Sequence, residues 1–369
     1  MDLANAEDGL EPTHYGGFLA YAVGVSLLVA SFYLLLWNEH RAAAISKALE
    51  QALTLTTSIH DTDVDSISKD GTHLVHVVGH LTSSKVVVDD EYNVTASAVK
   101  LRRLVEMYQW VEKNNFRQYG DADGIGMEQD YSYEPEWRSE LVDSTLFTKV
   151  SCVNPTSFPV QSRDFVLSEV YVGNVRLSES LVLKIDNFQR LNFSTNSMED
   201  GFLYISESGG APEKPEVGDI RISFLVAGIL GEDKVSVVSE CQGQQLRPYV
   251  SAVGIPVELL EFGELTAEAM FKQASTDNGI TTSVLRSIAW FFSFMGFTLL
   301  SPVLHTLARK VPRITLLVPA DSSPMQFSTY TWLLLMFLSW AVARPMHAVA
   351  TVGASVLSIF TISRLINEA

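Results

Sequence analysis

The run GGFLAYAVGVSLLVASFYLLLW, residues 16–37, decides the class of this protein, because it carries no charged side chain. About 20 such residues in a helix cross the hydrocarbon core of a bilayer. Tyr33 and Trp37 lie near its end, where amphipathic rings favour the membrane interface. Residues 1–15 contain four acidic residues and neither Lys nor Arg, so they lack the basic segment of a cleaved signal peptide. The run therefore predicts a retained transmembrane helix.

Three further apolar runs follow near the C-terminus, at residues 287–307, 326–343 and 346–362. The first is long enough to span, and Pro302 predicts a kink near one end. The last two are short for a span, so a chain with three spans and one interfacial helix is the alternative. We predict a multi-span α-helical membrane protein with four transmembrane helices and a large β-rich α+β luminal domain.

The orientation rests on basic residues near the spans. The loop 308–325 contains Arg309, Lys310 and Arg313, and basic loops favour the cytoplasmic side. Four spans would then leave both tails, 1–15 and 363–369, in the cytoplasm and residues 38–282 in the lumen. Arg41 and Lys47 follow the first span and count against this orientation.

The middle domain, residues 38–282, alternates strand-like runs with turn residues. Residues 39–55 are rich in Ala and Leu and predict a helix, and residues 265–273 predict another. Between them lie β-branched and aromatic runs bounded by Gly, Pro, Asn and Asp, which are typical of antiparallel strands. These runs are Leu74–Leu81, Lys85–Val88, Leu104–Val111, Phe165–Val172, Leu181–Ile185, Phe202–Ser206, Asp219–Val226 and Lys234–Glu240.

Charge and cysteine content exclude several classes of function. The net charge of −17 and the pI near 4.8 argue against broad nucleic-acid binding, which needs a basic surface. Cys152 and Cys241 cannot form a four-thiolate metal site. They predict either a disulfide, if the domain is luminal, or two buried thiols.

Small residues recur every four positions in the first and last apolar runs. Such stripes let helix backbones approach closely in lipid, either within one molecule or between two copies, and packing within one molecule is the simpler interpretation. The residues are Gly16, Ala20, Gly24, Ala350, Ala354 and Ser358.

Four segments resemble one known family. They are LVHVVGHL from Leu74, AVKLRRLVEMYQWVE from Ala98, YSYEPEWRSE from Tyr131 and PEVGDIRISF from Pro215. The chain is similar to the LUMA family, transmembrane protein 43, from the first span onward. The resemblance implies residence in the endoplasmic reticulum and the nuclear inner membrane, with the large domain in the lumen. It also implies homo-oligomers and a scaffold role at the nuclear envelope, with partners that in animals include emerin and lamins.

The family-like segments also contain the candidate functional side chains. One hypothesis makes them a substrate clamp; the other makes them structural or interface residues, because Arg pairs with carboxylates and stacks on Trp. The second is favoured, since no activated nucleophile or acid–base pair accompanies them. The residues are Arg102, Arg103, Trp110, Trp137, Arg138, Glu140, Asp219 and Arg221.

Other motifs are weaker. The acidic loop Asp61–Asp65 lacks the Gly and Glu of a calcium-binding loop, and a hairpin connection is predicted near Asp121. His76 and His80 share one face of a predicted strand, where a weak metal site is the alternative, but they lack the glutamate of H-E-x-x-H. A structural role is favoured, and no metal is predicted. Nucleotide-binding and nucleophile motifs are also missing from the sequence, and no cofactor or catalytic residue is predicted.

Two sequons, at Asn93 and Asn192, are candidate glycosylation sites if the middle domain is luminal.

The function predicted is a non-enzymatic membrane scaffold that self-associates, organises protein complexes and maintains nuclear envelope structure. The alternative is a luminal, membrane-proximal enzyme or lipid-handling protein that uses the Arg and Trp motifs as a pocket. A channel component ranks last, because the spans lack the ionisable residues that mark a conduction path.

Overall fold

The structure is a computed structural model that describes residues 14–59, 73–121, 124–149, 151–191, 201–206, 209, 211–310 and 323–343. Its helices are α1 (His14–Leu55), α2 (Glu179–Lys184), α3 (Ala267–Lys310) and α4 (Pro324–Ala343). The strands of the first half are β1 (Thr57–Ile59), β2 (His73–Thr82), β3 (Val87–Asp89), β4 (Val94–Ala96), β5 (Ala98–Asp121), β6 (Gly124–Arg138) and β7 (Arg163–Val166). Those that follow are β8 (Tyr171–Val172), β9 (Val175–Arg176), β10 (Gln189–Arg190), β11 (Leu203–Ile205), β12 (Ile220–Ile229), β13 (Lys234–Gln242), β14 (Gln245–Arg247), β15 (Tyr249–Val250), β16 (Pro256–Val257) and β17 (Leu259–Phe262).

The chain divides into two compact units. Among the described residues, the helical unit contains α1, residues 250–257 and those from Glu268 onward, and the β unit contains those of 56–249 and 258–267. In the helical unit the predicted first span and the predicted helix after it are one continuous helix, α1. The same is true of residues 265–273 and 287–307, most of which lie in α3.

The prediction of four transmembrane helices is wrong. Among the described residues, two helices are long and apolar enough to cross a membrane, at Leu19–Leu55 and Ala267–Leu307. Helix α4 is not apolar enough to count as a third candidate span, because Gln326 and the hydroxyl residues that follow make its first half polar. The predicted span at 346–362 lies outside the described residues. Large apolar side chains of α1, such as Leu19 and Val29, are more than half exposed, as lipid-facing side chains would be.

Helices α1 and α3 are antiparallel and held in constant register by polar side chains. Ser31 donates to the carbonyl of Ala289 at 2.7 Å, and Asn38 donates to that of Thr282 at 3.0 Å. Asn278 donates back to the carbonyl of Ala42 at 3.1 Å. These side chains are buried, so each bond also satisfies a polar group that would be costly to leave unpaired.

Glycine sets the closest approach of the two helices. A Cβ atom on Gly296 would lie 2.9 Å from the carbonyl oxygen of Gly24, and one on Gly24 would lie 3.0 Å from Leu300. Gly24 of the small-residue stripe therefore packs within the molecule, against Gly296. Ala20 is half-buried, and nothing is described for the side-chain surroundings of Gly16. Ala350, Ala354 and Ser358 lie outside the described residues.

The first sheet of the β unit is centred on the antiparallel pair β2–β13. β1 runs parallel to β2, and β17 runs antiparallel to β13. β8 pairs with the C-terminal end of β2, β14 pairs with the C-terminal end of β13, and β9 lies between β8 and β14. β2 and β13 are both rich in valine, a β-branched residue, which explains why both were predictable as strands.

The second sheet has β12 between β5 on one side and β10 and β11 on the other. The first part of β5 pairs with β12 and β7, and from Met107 onward β5 pairs with β6. The predicted hairpin near Asp121 is present, with Asp121 opposite Gly124. β5 and β6 thus continue beyond the sheet as a two-stranded ribbon.

Both sheets contribute to one buried apolar cluster. It includes Val77 of β2, Leu101 and Met107 of β5, Phe224 of β12 and Val237 of β13. Alternate residues of β5 enter this core, so the intervening side chains must lie on the opposite face of the second sheet.

One predicted strand is a helix. Residues 181–185 lie mostly in α2, because Ser178 caps the helix by accepting a hydrogen bond from the amide of Leu181 at 3.1 Å. The predicted strand 165–172 is divided between β7 and β8. A large, mostly antiparallel β-rich domain is present, as predicted.

Candidate functional site

The outer face of the second sheet carries three of the eight family-like side chains, Arg102, Trp137 and Arg221. Along β5 the odd-numbered residues 101–109 are buried, whereas Arg102, Glu106 and Tyr108 are half-buried and point outward. Trp137 of β6 lies opposite Tyr108, and Arg221 of β12 lies opposite Glu106. We call these five side chains, with Phe202 and Tyr204, the arginine–aromatic face.

Arg221 is the centre of this face. Its guanidinium carbon lies 4.7 Å from the centroid of the Trp137 ring and 4.5 Å from that of Phe202. Its Nε donates to Glu106 at 2.7 Å. Because the guanidinium is stacked on two rings and tied to a carboxylate, its position is fixed before any partner arrives.

Aromatic rings continue the face around Trp137. Its centroid lies 5.2 Å from that of Tyr108 and 6.2 Å from that of Tyr204. The Tyr204 hydroxyl donates to Asp219, and burial together with this bond raises the pKa of Tyr204 to about 12. The phenol therefore stays neutral and keeps its hydrogen bond across the physiological pH range.

Asp219 is buried beneath the face and is already satisfied. Burial pushes its pKa upward, but hydrogen bonds from Ser206, from Tyr204 and from the amide of Glu216 outweigh burial and leave the pKa below its ordinary value. The adjacent cleft, about 470 Å³, is lined by Met107, Pro155, Asp219 and neighbouring residues. A carboxylate with three donors and a lowered pKa is a poor general base, and the cleft contains neither Arg102 nor Arg138.

Arg102 extends the face towards β7. It makes a bidentate ion pair with Asp164, in which Nε and Nη2 donate to the two carboxylate oxygens at 2.8 and 2.7 Å. Its guanidinium carbon lies 4.0 Å from the Phe188 ring centroid. The bond to Arg102 is the main reason that the pKa of Asp164 is lowered. Both side chains are more than 40% exposed, so the pair contributes little to stability.

Arg103 points the other way, into the protein. Its side chain is 4% exposed and donates to Asp89 at 3.1 Å and to Glu91 at 2.6 Å. It also lies 4.9 Å from the Tyr92 ring centroid and donates to the carbonyl of Gln161. Arg103 is therefore part of the core of the β unit rather than of the outer face.

The remaining family-like residues lie at the start of the ribbon. Arg138 is exposed and pairs with Glu136 at 2.7 Å, while the backbone carbonyl of Glu140 accepts a bond from Gln109. Trp110 is half-buried, and its backbone N–H and C=O are both bonded by the side-chain amide of Asn154. Asn154 thus covers an open strand edge, a role that sequence reasoning missed.

The thiols and histidines supply no obvious chemistry. Cys152 and Cys241 are buried free thiols, and burial raises the pKa of Cys241.

The ring nitrogens of His76 lie 3.2 Å from the Ser58 hydroxyl and 2.9 Å from the Leu265 carbonyl, and His80 lies 3.2 Å from the carbonyl of Glu232. Within the described residues, no group of three or more His, Cys, Asp or Glu side chains could hold a metal ion. Asp61–Asp65 and Asn192 lie outside those residues.

A second polar site, absent from the sequence predictions, lies in the helical unit. Glu39 of α1 is fully buried, and Arg286 of α3 donates to it twice, at 2.6 and 3.0 Å. Trp340 of α4 donates its indole N–H to the same carboxylate at 2.9 Å, and its ring centroid lies 5.5 Å from the Arg286 guanidinium carbon. This ion pair joins three helices at the polar end of the apolar run of α1.

Comparison with known proteins gives the family. A family model described as Transmembrane protein 43 matches residues 107–345. The chain belongs to the transmembrane protein 43 family. Transmembrane protein 43 of Homo sapiens and that of Pongo abelii are each 35% identical over 356 residues, which cover 91% of this chain and 88% of the relative. The Drosophila melanogaster homolog is 32% identical over 341 residues, 90% of each chain. No solved structure matches.

The transmembrane protein 43 match confirms the resemblance predicted from the sequence. The matched range contains Trp137 and Arg221 of the arginine–aromatic face and Asp219 beneath it, together with Arg286 and Trp340 of the buried ion pair. The relatives are named as transmembrane proteins and not as enzymes. With two candidate spans and this family membership, the chain is a membrane protein.

Proposed function

We propose that this transmembrane protein 43 relative is a non-enzymatic scaffold of the endoplasmic reticulum and nuclear inner membrane. It self-associates through its β unit and organises protein complexes, including emerin-like and lamin-like partners where these are present, and so maintains nuclear envelope structure. The observation that carries this proposal is the stacking of Arg221 between Trp137 and Phe202. Trp, Tyr and Arg are the residues enriched at protein interfaces and at their energetic hot spots.

Two features of the face support binding rather than catalysis. Its side chains are half-buried and fixed by stacking and ion pairs, so little conformational entropy is lost when a partner docks. Glu106 of the face is engaged by Arg221, and Asp219 beneath it is engaged by Tyr204, so neither carboxylate is poised to abstract a proton.

Self-association is tested with substitutions on and beside the face. In the full-length, detergent-solubilised protein, we expect Trp137→Ala and Arg138→Glu to weaken self-association by about tenfold or more, because loss of a hot spot costs about 2 kcal/mol. Molar mass by light scattering over a range of protein concentrations measures the effect. Arg138 is exposed, so its reversal changes the surface without opening the core.

The matched control is Leu183→Ala. Leu183 is 61% exposed and lies on α2, outside the arginine–aromatic face. Its loss should leave the molar mass unchanged, and thermal unfolding should show that Arg138→Glu is folded. A monomeric wild-type protein, or unchanged assembly in both variants of the face, would contradict the proposal.

The luminal position of the β unit is tested through Asn93. Asn93 is exposed at the turn between β3 and β4, with a φ of 52°, and Thr95 of its sequon is also exposed. We expect the expressed protein to lose mass on Endo H treatment. Asn93→Gln and Thr95→Ala should each remove the Asn93 glycan, while Thr95→Ser, which preserves the sequon, should keep it.

Protease treatment of sealed microsomes completes this test. A luminal β unit is protected until detergent is added, whether or not the sequon is used. Digestion of the β unit in intact microsomes would reverse the proposed orientation and remove the support for a luminal scaffold.

A further inference from the structure

We propose that Arg41 binds the phosphate of an anionic phospholipid at the membrane surface. Tyr33, Trp37 and Arg41 recur every four residues and therefore share one face of α1. Tyr33 is 69% and Trp37 is 47% exposed. They form an aromatic stripe at the end of the apolar run, the position that such rings occupy at membrane interfaces.

The step from Trp37 to Arg41 fits a lipid that lies along this stripe. Four helical residues rise about 6 Å, which is the step from the buried edge of the interface towards the headgroup layer. The guanidinium carbon of Arg41 lies 5.9 Å from the Trp37 ring centroid, so the two side chains are neighbours. A lipid whose glycerol region contacts Trp37 would place its phosphate beside Arg41.

The charge of Arg41 is not compensated within the described part of the chain. The nearby carboxylate, Glu39, is held by Arg286 and Trp340. The hydrogen bonds of Arg41 itself go to neutral oxygens, those of Asn38 and Thr282, both at 3.3 Å. Arg41 therefore leaves a local positive charge on a chain whose net charge is strongly negative.

The guanidinium is also under-used as a donor. Its Nε is buried and has no hydrogen-bond partner, which is costly for a charged group. A rotation of the half-buried side chain towards the headgroups would replace two long bonds to neutral oxygens with charge-assisted bonds to phosphate. Arginine matches phosphate with paired, geometrically fixed donors, whereas lysine supplies a single point charge.

The test uses the full-length protein in a neutral detergent and native mass spectrometry to count bound lipid. The probes are phosphatidylglycerol and phosphatidylcholine with the same acyl chains. We expect the wild-type protein to bind phosphatidylglycerol roughly fivefold to tenfold more tightly than phosphatidylcholine. Arg41→Gln should lose this preference, and Arg41→Lys should keep part of it.

Lys47→Gln is the matched control, since it removes the same charge from an exposed site further along α1. It should leave the lipid preference unchanged. An undiminished preference in Arg41→Gln would overturn the proposal; if that variant fails to fold, an undiminished preference in Arg41→Lys would do so. Inorganic phosphate at millimolar concentration should not displace phosphatidylglycerol. Displacement of phosphatidylglycerol by inorganic phosphate would assign the site to a soluble anion and overturn the lipid assignment.

Discussion

Replacing Arg286 with methionine is expected to destabilise the helical unit by about 3–5 kcal/mol, because the substitution leaves Glu39 buried without its cation. Glu39 has no exposed surface and would keep only the indole N–H of Trp340. Thermal unfolding of the purified protein in detergent measures the loss, as does the protein level in cells.

A double variant separates the buried charge from the loss of packing. Glu39→Gln combined with Arg286→Met removes both charges, so it should recover much of the stability lost in Arg286→Met alone. Lys272→Met is the matched control, because Lys272 is exposed on the same helix. Equal effects of Arg286→Met and Lys272→Met would show that the ion pair does not hold the helices together.

Arg103→Met should have an effect of similar size in the β unit. Asp89 is 1% exposed, and its charge is compensated by Arg103, so the variant buries an unpaired carboxylate and should lose about 3–5 kcal/mol. Urea unfolding followed by tryptophan fluorescence measures the change. The free energy of unfolding should fall without a change in its dependence on urea concentration.

The residue before it provides the control. Arg102→Met breaks the exposed pair with Asp164, which should cost less than about 1 kcal/mol. Arg102 and Arg103 are identical in type and adjacent in sequence, so their difference isolates burial. A loss of more than 2 kcal/mol in Arg102→Met, or of less than 1 kcal/mol in Arg103→Met, would mean that the burial of these pairs does not set their energies.

The sequence predicts the membrane class and the β domain because both depend on local patterns. The run of residues 16–37 is recognisable as a membrane span by its length and lack of charge, and β12 and β13 are recognisable as strands by their β-branched residues. The count of spans failed where composition is borderline, since α4 combines an apolar second half with a polar first half. Leu181–Ile185 was predicted as a strand because five residues cannot show a helical period, and the decisive cap, Ser178, lies before them.

The candidate sites are less predictable, since their partners are distant in the chain. Trp137 and Arg221 were identifiable as unusual residues, but their stacking depends on the register of β5 between β6 and β12. The ion pair of Glu39 was not predicted at all. Glu39 follows the apolar run directly and resembles an ordinary charged residue at a membrane surface, and its partner is 247 residues away.

The 247 residues between Glu39 and Arg286 determine how early in biosynthesis the ion pair can form. At about 5–20 residues per second, Arg286 is synthesised roughly 12–50 s after Glu39. During this interval α1 is already made, while the carboxylate that α3 and α4 will enclose has neither its guanidinium nor its indole. Nascent chains that stall or misfold before α3 arrives therefore display a bare acidic residue beside the apolar run of α1. In the complete chain Glu39 is fully buried, so its carboxylate is expected to be exposed only before α3 and α4 are in place.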